Sequence, residues 1–400
     1  MLVVLQAALA LVLLSASGLL MSALQKLEHQ DFGFEQERRI IVVFDPRLAG
    51  YEPEKLEPLY GRIEDGMARV PRVAAFALCI YSPLSGNNWG NAVWVAGHPT
   101  PGPNEDAGAS YDRVTPGYFA VIGTPILRGR GIEERDTANS EHVAVINQAF
   151  GRRFFKNADP LGKYFGWAGD RPTRYRVVGI AKDARYQTFN IDQPIQPFFF
   201  LPVAQHDFAI DSGKERDTGS HYMQNMVVVA APGKTVSYAS LRNTLASVDP
   251  NLPLTSIHTL REQVEDVFRP ARLIVRLTSS FGLLSLVLCL IGFYGVTAYS
   301  AGQRTNEIGV RMVLGAERRH AIALLLRGPF ALILAGLSLG LPLSFAVGRI
   351  LMNQIYGLNP YDPAIMALAV ATLALCGFIA SLIPAVRASV MNPSDALRIE

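Results

Sequence analysis

Four hundred residues ordinarily make two or three domains. Half of them are apolar and only 18% are charged, which excludes a disordered chain, and 25 prolines and 34 glycines without a repeat exclude a collagen-like one. Three cysteines exclude a disulfide scaffold or thiolate cluster, and a formal charge of +3 spread along the chain leaves no electrostatic footprint for nucleic acid.

The first element is an uncharged run from Leu2 to Leu24. As a helix it covers roughly 33 Å, enough for the hydrocarbon core of a bilayer. It has no basic residue ahead of it and is longer than the apolar core of a signal peptide, so it is read as a retained anchor. The missing basic flank is read as the start of a piece of a longer protein.

About 250 residues follow before the next apolar run, too many for a loop. They open with a strand at Ile40–Phe44, a helix over Pro53–Val70 with Leu56, Leu59, Ile63 and Met67 on one face, and a strand at Val73–Tyr81. The same order returns at Met226–Ala230, Val236–Val248 and Leu254–Ile257. Two such β-α-β units predict one ferredoxin-like sheet. Residues 85–222 then form an inserted mixed α/β lobe, with strands at Ala92–Val95, Val143–Ile146, Tyr175–Ile180 and Phe198–Leu201 and a helix from Gln148 to Phe155. Glycine and proline in this lobe are read as turn chemistry, including Asp159–Lys163, which lacks the pattern of a phosphate loop. Between Gln25 and Leu277 basic and acidic residues balance, so this domain has no electrostatic reason to collect anions.

Arg269, Arg272 and Arg276 share a helical face just before the second uncharged run, Thr278–Ala301. Contact with lipid headgroups, contact with a neighbouring subunit, and plain solvation are the readings weighed for them. The third and fourth runs are Pro329–Gly348 and Ala364–Val386. A charge at mid-span costs about 2.5–3.5 kcal/mol against roughly 0.3–0.6 gained per Leu or Ile, so four charge-free windows define four membrane spans. In span three, Gly336 and Gly340 form a G-x-x-x-G pair, and Gly18 with Ser22 gives span one a weaker version. These helix-packing positions are assigned to a dimer contact in preference to internal packing, and Pro342 is expected to kink span three.

The short segment between spans two and three carries Arg304, Arg311, Arg318, Arg319 and His320, with Arg327 at the next span's edge. The segment between spans three and four has only Arg349. The positive-inside rule makes the basic segment cytoplasmic, which puts both termini inside and the large domain outside.

Several chemistries find no motif. The seven histidines form no zinc-hydrolase pattern, no G-x-S-x-G elbow occurs, and the spans carry no mid-depth carboxylate, lysine or histidine for an ion relay. Glu133 and Glu134, bordered by Arg130 and Arg135, are read as a solvated turn. No catalytic, cofactor-binding or metal-binding residue is assigned, and energy must come from elsewhere.

Read as a helix, Arg304, Glu307 and Arg311 form a charged stripe, with Glu307 four residues ahead of Arg311 in the favourable orientation. An interfacial helix on the inner leaflet is the alternative from periodicity alone. The stretch Arg304–Ala316 resembles the R-x-x-E-I-G-x-R-x-x-x-G-A signature of FtsX/MacB-like permeases, the membrane subunits of mechanotransmitting ABC transporters. The resemblance extends through Leu290–Tyr299, Pro384–Ala385 and Asn392–Arg398. In the outer domain it rests on Val114–Phe119, Gly129–Gly131, Val145–Asn147, Asp159–Lys163 and Val178–Gly179, similar to a MacB-like periplasmic core. It is closest in character to the second half of duplicated permeases of the acidobacterial type.

The resemblance implies an α-helical membrane domain of four spans plus an extracytoplasmic α+β domain with a porter-like ferredoxin subdomain. The expected boundaries are span one at 1–25, the outer domain at 26–268 and the permease domain at 269–400. It implies a separate cytoplasmic ATPase that binds the ATP, docked on Arg304, Glu307, Ile308, Gly309, Arg311, Gly315 and Ala316. It also implies a homodimer or pairing with another permease half, contact with membrane lipids, and residence in the bacterial plasma (inner) membrane. The function implied is non-enzymatic transmission of ATP-driven motion to the outer domain for export. A scaffold regulating an envelope enzyme and a truncated, non-functional half are the alternatives.

Overall fold

The computed structural model describes residues 1–102, 105–156, 158–167, 171–187, 193–205, 219–304, 318–352 and 362–390. Contacts divide the chain into two units, Gln30–Val267 and Met1–His29 with Phe268–Glu400.

In the outer unit, β1 (Arg39–Phe44), α2 (Leu56–Ala68) and β2 (Val73–Cys79) form one β-α-β unit, and β10 (Asn225–Ala230), α5 (Tyr238–Val248) and β11 (Leu254–Thr259) form the other. The four strands run in the order β11-β1-β10-β2, every neighbour antiparallel. This is the ferredoxin-like arrangement, in which β10 of the second unit slots between the two strands of the first. Leu56, Leu59, Tyr60, Ile63 and Met67 of α2 are buried, as are Leu241 and Leu245 of α5. Gly66 lets the two helices approach: a Cβ there would meet Thr244 Cγ2 at 3.0 Å. A glycine inside a helix costs about 1 kcal/mol relative to alanine, which this close packing offsets.

The inserted lobe is β-rich rather than evenly mixed. Its strands β3 (Trp89–Val95), β4 (Gly108–Val114), β6 (Val143–Asn147), β7 (Tyr164–Trp167), β8 (Tyr175–Ala181) and β9 (Phe198–Pro202) pair in the cycle β4-β3-β7-β8-β6-β9 and back to β4. The ring therefore closes, which removes the open edges a six-stranded sheet would expose. β5 (Ile126–Gly129) adds outside it on β8, and a single pairing of Cys79 with Val114 links β2 to β4. Phe199 lies fully buried with ring centroids 5.5 Å from Tyr111, 5.6 Å from Phe150, 5.2 Å from Phe165 and 5.2 Å from Trp167. Such aromatic contacts add to a large burial term.

Three strands, β4, β5 and β7, are absent from the sequence reading, and the helix expected over Gln148–Phe155 shortens. α4 spans only Gln148–Phe150 and passes into a wider π turn at Gly151–Phe155. β4 escapes an apolar-pattern search because it buries Asp112 and Arg113. Asp112 accepts a hydrogen bond from the Ile80 N–H at 2.9 Å, and burial pushes its carboxyl well above the usual range. The Arg113 guanidinium donates to Ser220 Oγ at 2.9 Å and to the Gln205 carbonyl at 2.8 Å. The lobe also carries the short helix α3 (Tyr118–Ile122), which touches β2 and β10.

The second unit holds α1 (Leu2–Glu28), α6 (Leu260–Gln303, shared at its start with the outer unit), α7 (Arg318–Met352) and α8 (Pro363–Val390). These four helices, among the described residues, are long and apolar enough to cross a membrane, with mean hydropathy of 2.1–2.4. Ala7, Ala10, Leu11, Cys289, Phe293 and Leu373 are fully buried in one cluster, so α1 is an integral part of the bundle. α7 continues through Pro329 and Pro342, and α6 through Pro270. Asp362 caps α8 by accepting the Ala364 N–H at 3.1 Å.

Candidate functional site

Of the residues expected to meet an ATPase, Arg304 is described. It lies exposed just past the end of α6, its N–H donating to the Ala301 carbonyl at 3.2 Å. Glu307, Ile308, Gly309, Arg311, Gly315 and Ala316 lie outside the described residues, as does Asn392–Arg398. The flanks are informative. Ala301 of α6, Leu325 of α7 and Ala385 of α8 are buried together, with Ile322, Leu326 and Ala388 around them. The ends of α6, α7 and α8 thus meet in a packed three-helix junction.

The glycines of span three have an intramolecular partner. A Cβ on Gly336 would stand 2.6 Å from Ala7 Cβ, and one on Gly340 would stand 3.1 Å from Ala8 Cα. Both face α1, so their assignment to a dimer contact is corrected to internal packing. Gly18 belongs to another close approach, where a Cβ would come within 2.7 Å of Ile365 Cγ2, and Ser22 is half-buried. Small residues at such crossings let helix backbones approach and gain van der Waals contact. Arg272 also has an internal partner that the sequence did not reveal. Its Nε donates to Glu28 Oε1 at 2.6 Å, tying α6 to the end of α1.

The signature residues of the outer domain hold backbone together. A Cβ on Gly129 would overlap the Val178 carbonyl, and one on Gly179 would overlap the Arg130 carbonyl, so β5 and β8 approach only because both are glycine. Asn147 caps α4: its Oδ1 accepts from the Phe150 N–H at 2.8 Å and the Phe198 N–H at 3.0 Å, while its Nδ2 donates to the Gln196 carbonyl at 2.9 Å. Thr115 Oγ1 accepts from the Leu78 N–H at 2.9 Å. Asp159 accepts from the Leu161 N–H at 3.2 Å and pairs with Arg128, and Gly162 has φ +75°, so Asp159–Lys163 is a turn.

A cleft of about 470 Å³ opens in the outer unit beside α2. Leu56, Tyr60, Pro116, Ile132, Pro202 and Val203 give it apolar walls, and Glu54, Glu57, Glu64, Glu133, Glu134 and Asp136 line it with carboxylates. Asp136 is buried and takes both arms of Arg130 at 2.7 Å, and Glu133 pairs with Arg135. Glu64 differs from these. Burial, then the Glu134 and Asp65 carboxylates, push its carboxyl up to about 7. Glu64 and Glu134 stand far apart in sequence, so spacing gives no hint of their meeting.

Comparison with known proteins gives this architecture a family. Residues 1–242 match the MacB-like periplasmic core domain and residues 279–393 match the FtsX-like permease C-terminal domain. The chain therefore belongs to the FtsX/MacB-like family of ABC transporter permeases, multi-pass membrane proteins with an extracytoplasmic domain. It is 28% identical over 296 residues to the macrolide export ATP-binding/permease protein MacB of Neisseria meningitidis, covering 74% of this chain but 44% of MacB. It is 25% identical over 293 residues to the ABC transporter permease YvrN of Bacillus subtilis, covering 71% of this chain and 68% of YvrN. The crystal structure of the periplasmic region of MacB from Actinobacillus actinomycetemcomitans aligns over 61% of this chain and 99% of that one, with 15% identity and a TM-score of 0.39. The chain spans less than half the length of the MacB relatives it matches.

Two outcomes test this geometry. Gly336→Val should destabilise the membrane unit by about 1–3 kcal/mol, the usual cost of overpacking. The readout is the monodisperse fraction after heating in detergent, with Gly295→Val, which has nothing within 4 Å, as the neutral control. The second concerns Glu64. Its folded-state value lies above the free one, so its contribution is full below about pH 4.5 and lost as pH rises through about 7. Glu64→Gln should be near neutral at pH 5 and stabilising by about 1 kcal/mol at pH 8, after allowance for the side chain's partial exposure. All three tryptophans lie in the outer unit, so their fluorescence reports its unfolding midpoint at each pH.

Proposed function

We propose that this chain is the non-catalytic permease subunit of an ABC exporter and passes ATP-driven motion from a separate cytoplasmic ATPase to its outer domain. The observation that carries the reading is the joint family match, which sets a MacB-like periplasmic domain beside an FtsX-like permease domain in one chain. The MacB relatives are named as ATP-binding/permease proteins for macrolide export, which supports an ATP-driven export role here. In this proposal ATP is bound by the partner and no cofactor by this chain.

The domains follow the sequence boundaries: span one at 1–25, the outer domain at 26–268 and the permease domain at 269–400. The protein resides in the bacterial inner membrane with both termini cytoplasmic, because the basic short segment between spans two and three belongs inside. Arg304, Glu307, Ile308, Gly309, Arg311, Gly315 and Ala316 form the docking surface. A second copy or another permease half completes the transporter. Motion rather than a polar channel does the work, which suits spans whose charge-free windows offer no ion relay.

Glu307→Arg places a third positive charge in the stripe with Arg304 and Arg311 and should abolish co-purification with the ATPase. Association equal to that of the unmodified chain would refute the docking surface.

A further inference from the structure

On α7, Arg327 and Arg349 bracket a stretch without any charge. At 1.5 Å per residue they stand about 33 Å apart along the helix, close to the ~30 Å hydrocarbon thickness of a bilayer. Bilayer thickness therefore puts the Arg327 guanidinium at the level of one row of lipid phosphates.

Beside it lies a groove of about 360 Å³ between α7 and α8. On α7, Ala323, Arg327 and Phe330 share one face, spaced by four and three residues. Ile333 continues the wall toward the bilayer centre, and Phe378 and Ser381 of α8 form the other side. Phe330 and Phe378 are about half exposed. The Ser381 hydroxyl donates to the Gly377 carbonyl of its own helix at 2.9 Å, so it asks nothing of an occupant. Arg327 is exposed, and none of the described residues pairs with it.

We infer that this groove is a binding site for one anionic glycerophospholipid, its phosphate on Arg327 and an acyl chain between Phe330 and Phe378. The volume far exceeds the ~30 Å³ share of one water, and apolar walls do not hold water. A guanidinium offers a phosphate two parallel charge-assisted hydrogen bonds. Among the described residues no carboxylate lines the groove to receive the ammonium of a zwitterionic headgroup, which favours an anionic lipid. The site is independent of ATPase docking and of the direction of transport.

The test uses the full chain reconstituted in nanodiscs of mixed phosphatidylglycerol and phosphatidylcholine, extracted mildly and weighed by native mass spectrometry. One phosphatidylglycerol should stay bound in preference to phosphatidylcholine. Arg327→Gln should lower its retention about ten-fold, the loss of a charge-assisted pair. Ala323→Phe, which fills the groove while keeping the charge, should lower it as well. Arg349→Gln, at the other boundary, should leave it unchanged. Equal retention of the two lipids, or an equal loss in Arg349→Gln, would overturn the site and leave only boundary lipid. A lipid-independent crosslink between copies at Phe378→Cys would overturn it in favour of a second copy as occupant.

Discussion

The exclusion of charge from a layer about 30 Å thick governs this molecule more than any single contact. Four helices meet it with windows almost free of charge, and the arginines gather at their ends. Once hydrocarbon surrounds a bundle, burying apolar surface no longer drives the helices together, and close packing has to. The crossing of α1 and α7 shows how. Gly336 and Gly340 give up their side chains so that Ala7 and Ala8 can approach, and α1 becomes a structural member of the bundle.

The outer unit obeys the opposite rule, since water surrounds it and apolar burial is available. Its two β-α-β units interleave into one sheet, and the lobe between them closes its strands into a ring around Phe199. The residues that carry the family resemblance here are backbone devices. Gly129 and Gly179 permit two strands to touch, and Asn147 satisfies two buried N–H groups at once. Their role is to hold a shape. That suits a domain whose proposed task is to be moved.

Legibility in the sequence followed the physics of each part. The spans were readable because one charge would have disqualified each window. The ferredoxin-like halves were readable from apolar residues recurring every three or four positions through Leu56–Met67. The ring was only partly readable, since β4 hides behind buried Asp112 and Arg113 and β7 is four residues long. Gly336 and Gly340 announced a close approach without naming the partner, and the dimer assigned to them was wrong for that reason. The Arg272–Glu28 pair and the meeting of Glu64 with Glu134 join residues distant in sequence, which no local pattern encodes. The segment 305–317, where the resemblance is densest, is legible in sequence alone.

The central claim is that energy enters on one side of a bilayer and is felt on the other. Single cysteines at Arg304 and at exposed Asn139 test it, labelled in intact cells with a membrane-impermeant maleimide before and after permeabilisation. The account predicts labelling of position 139 in intact cells and of position 304 only after permeabilisation. Labelling of both positions in intact cells would contradict it.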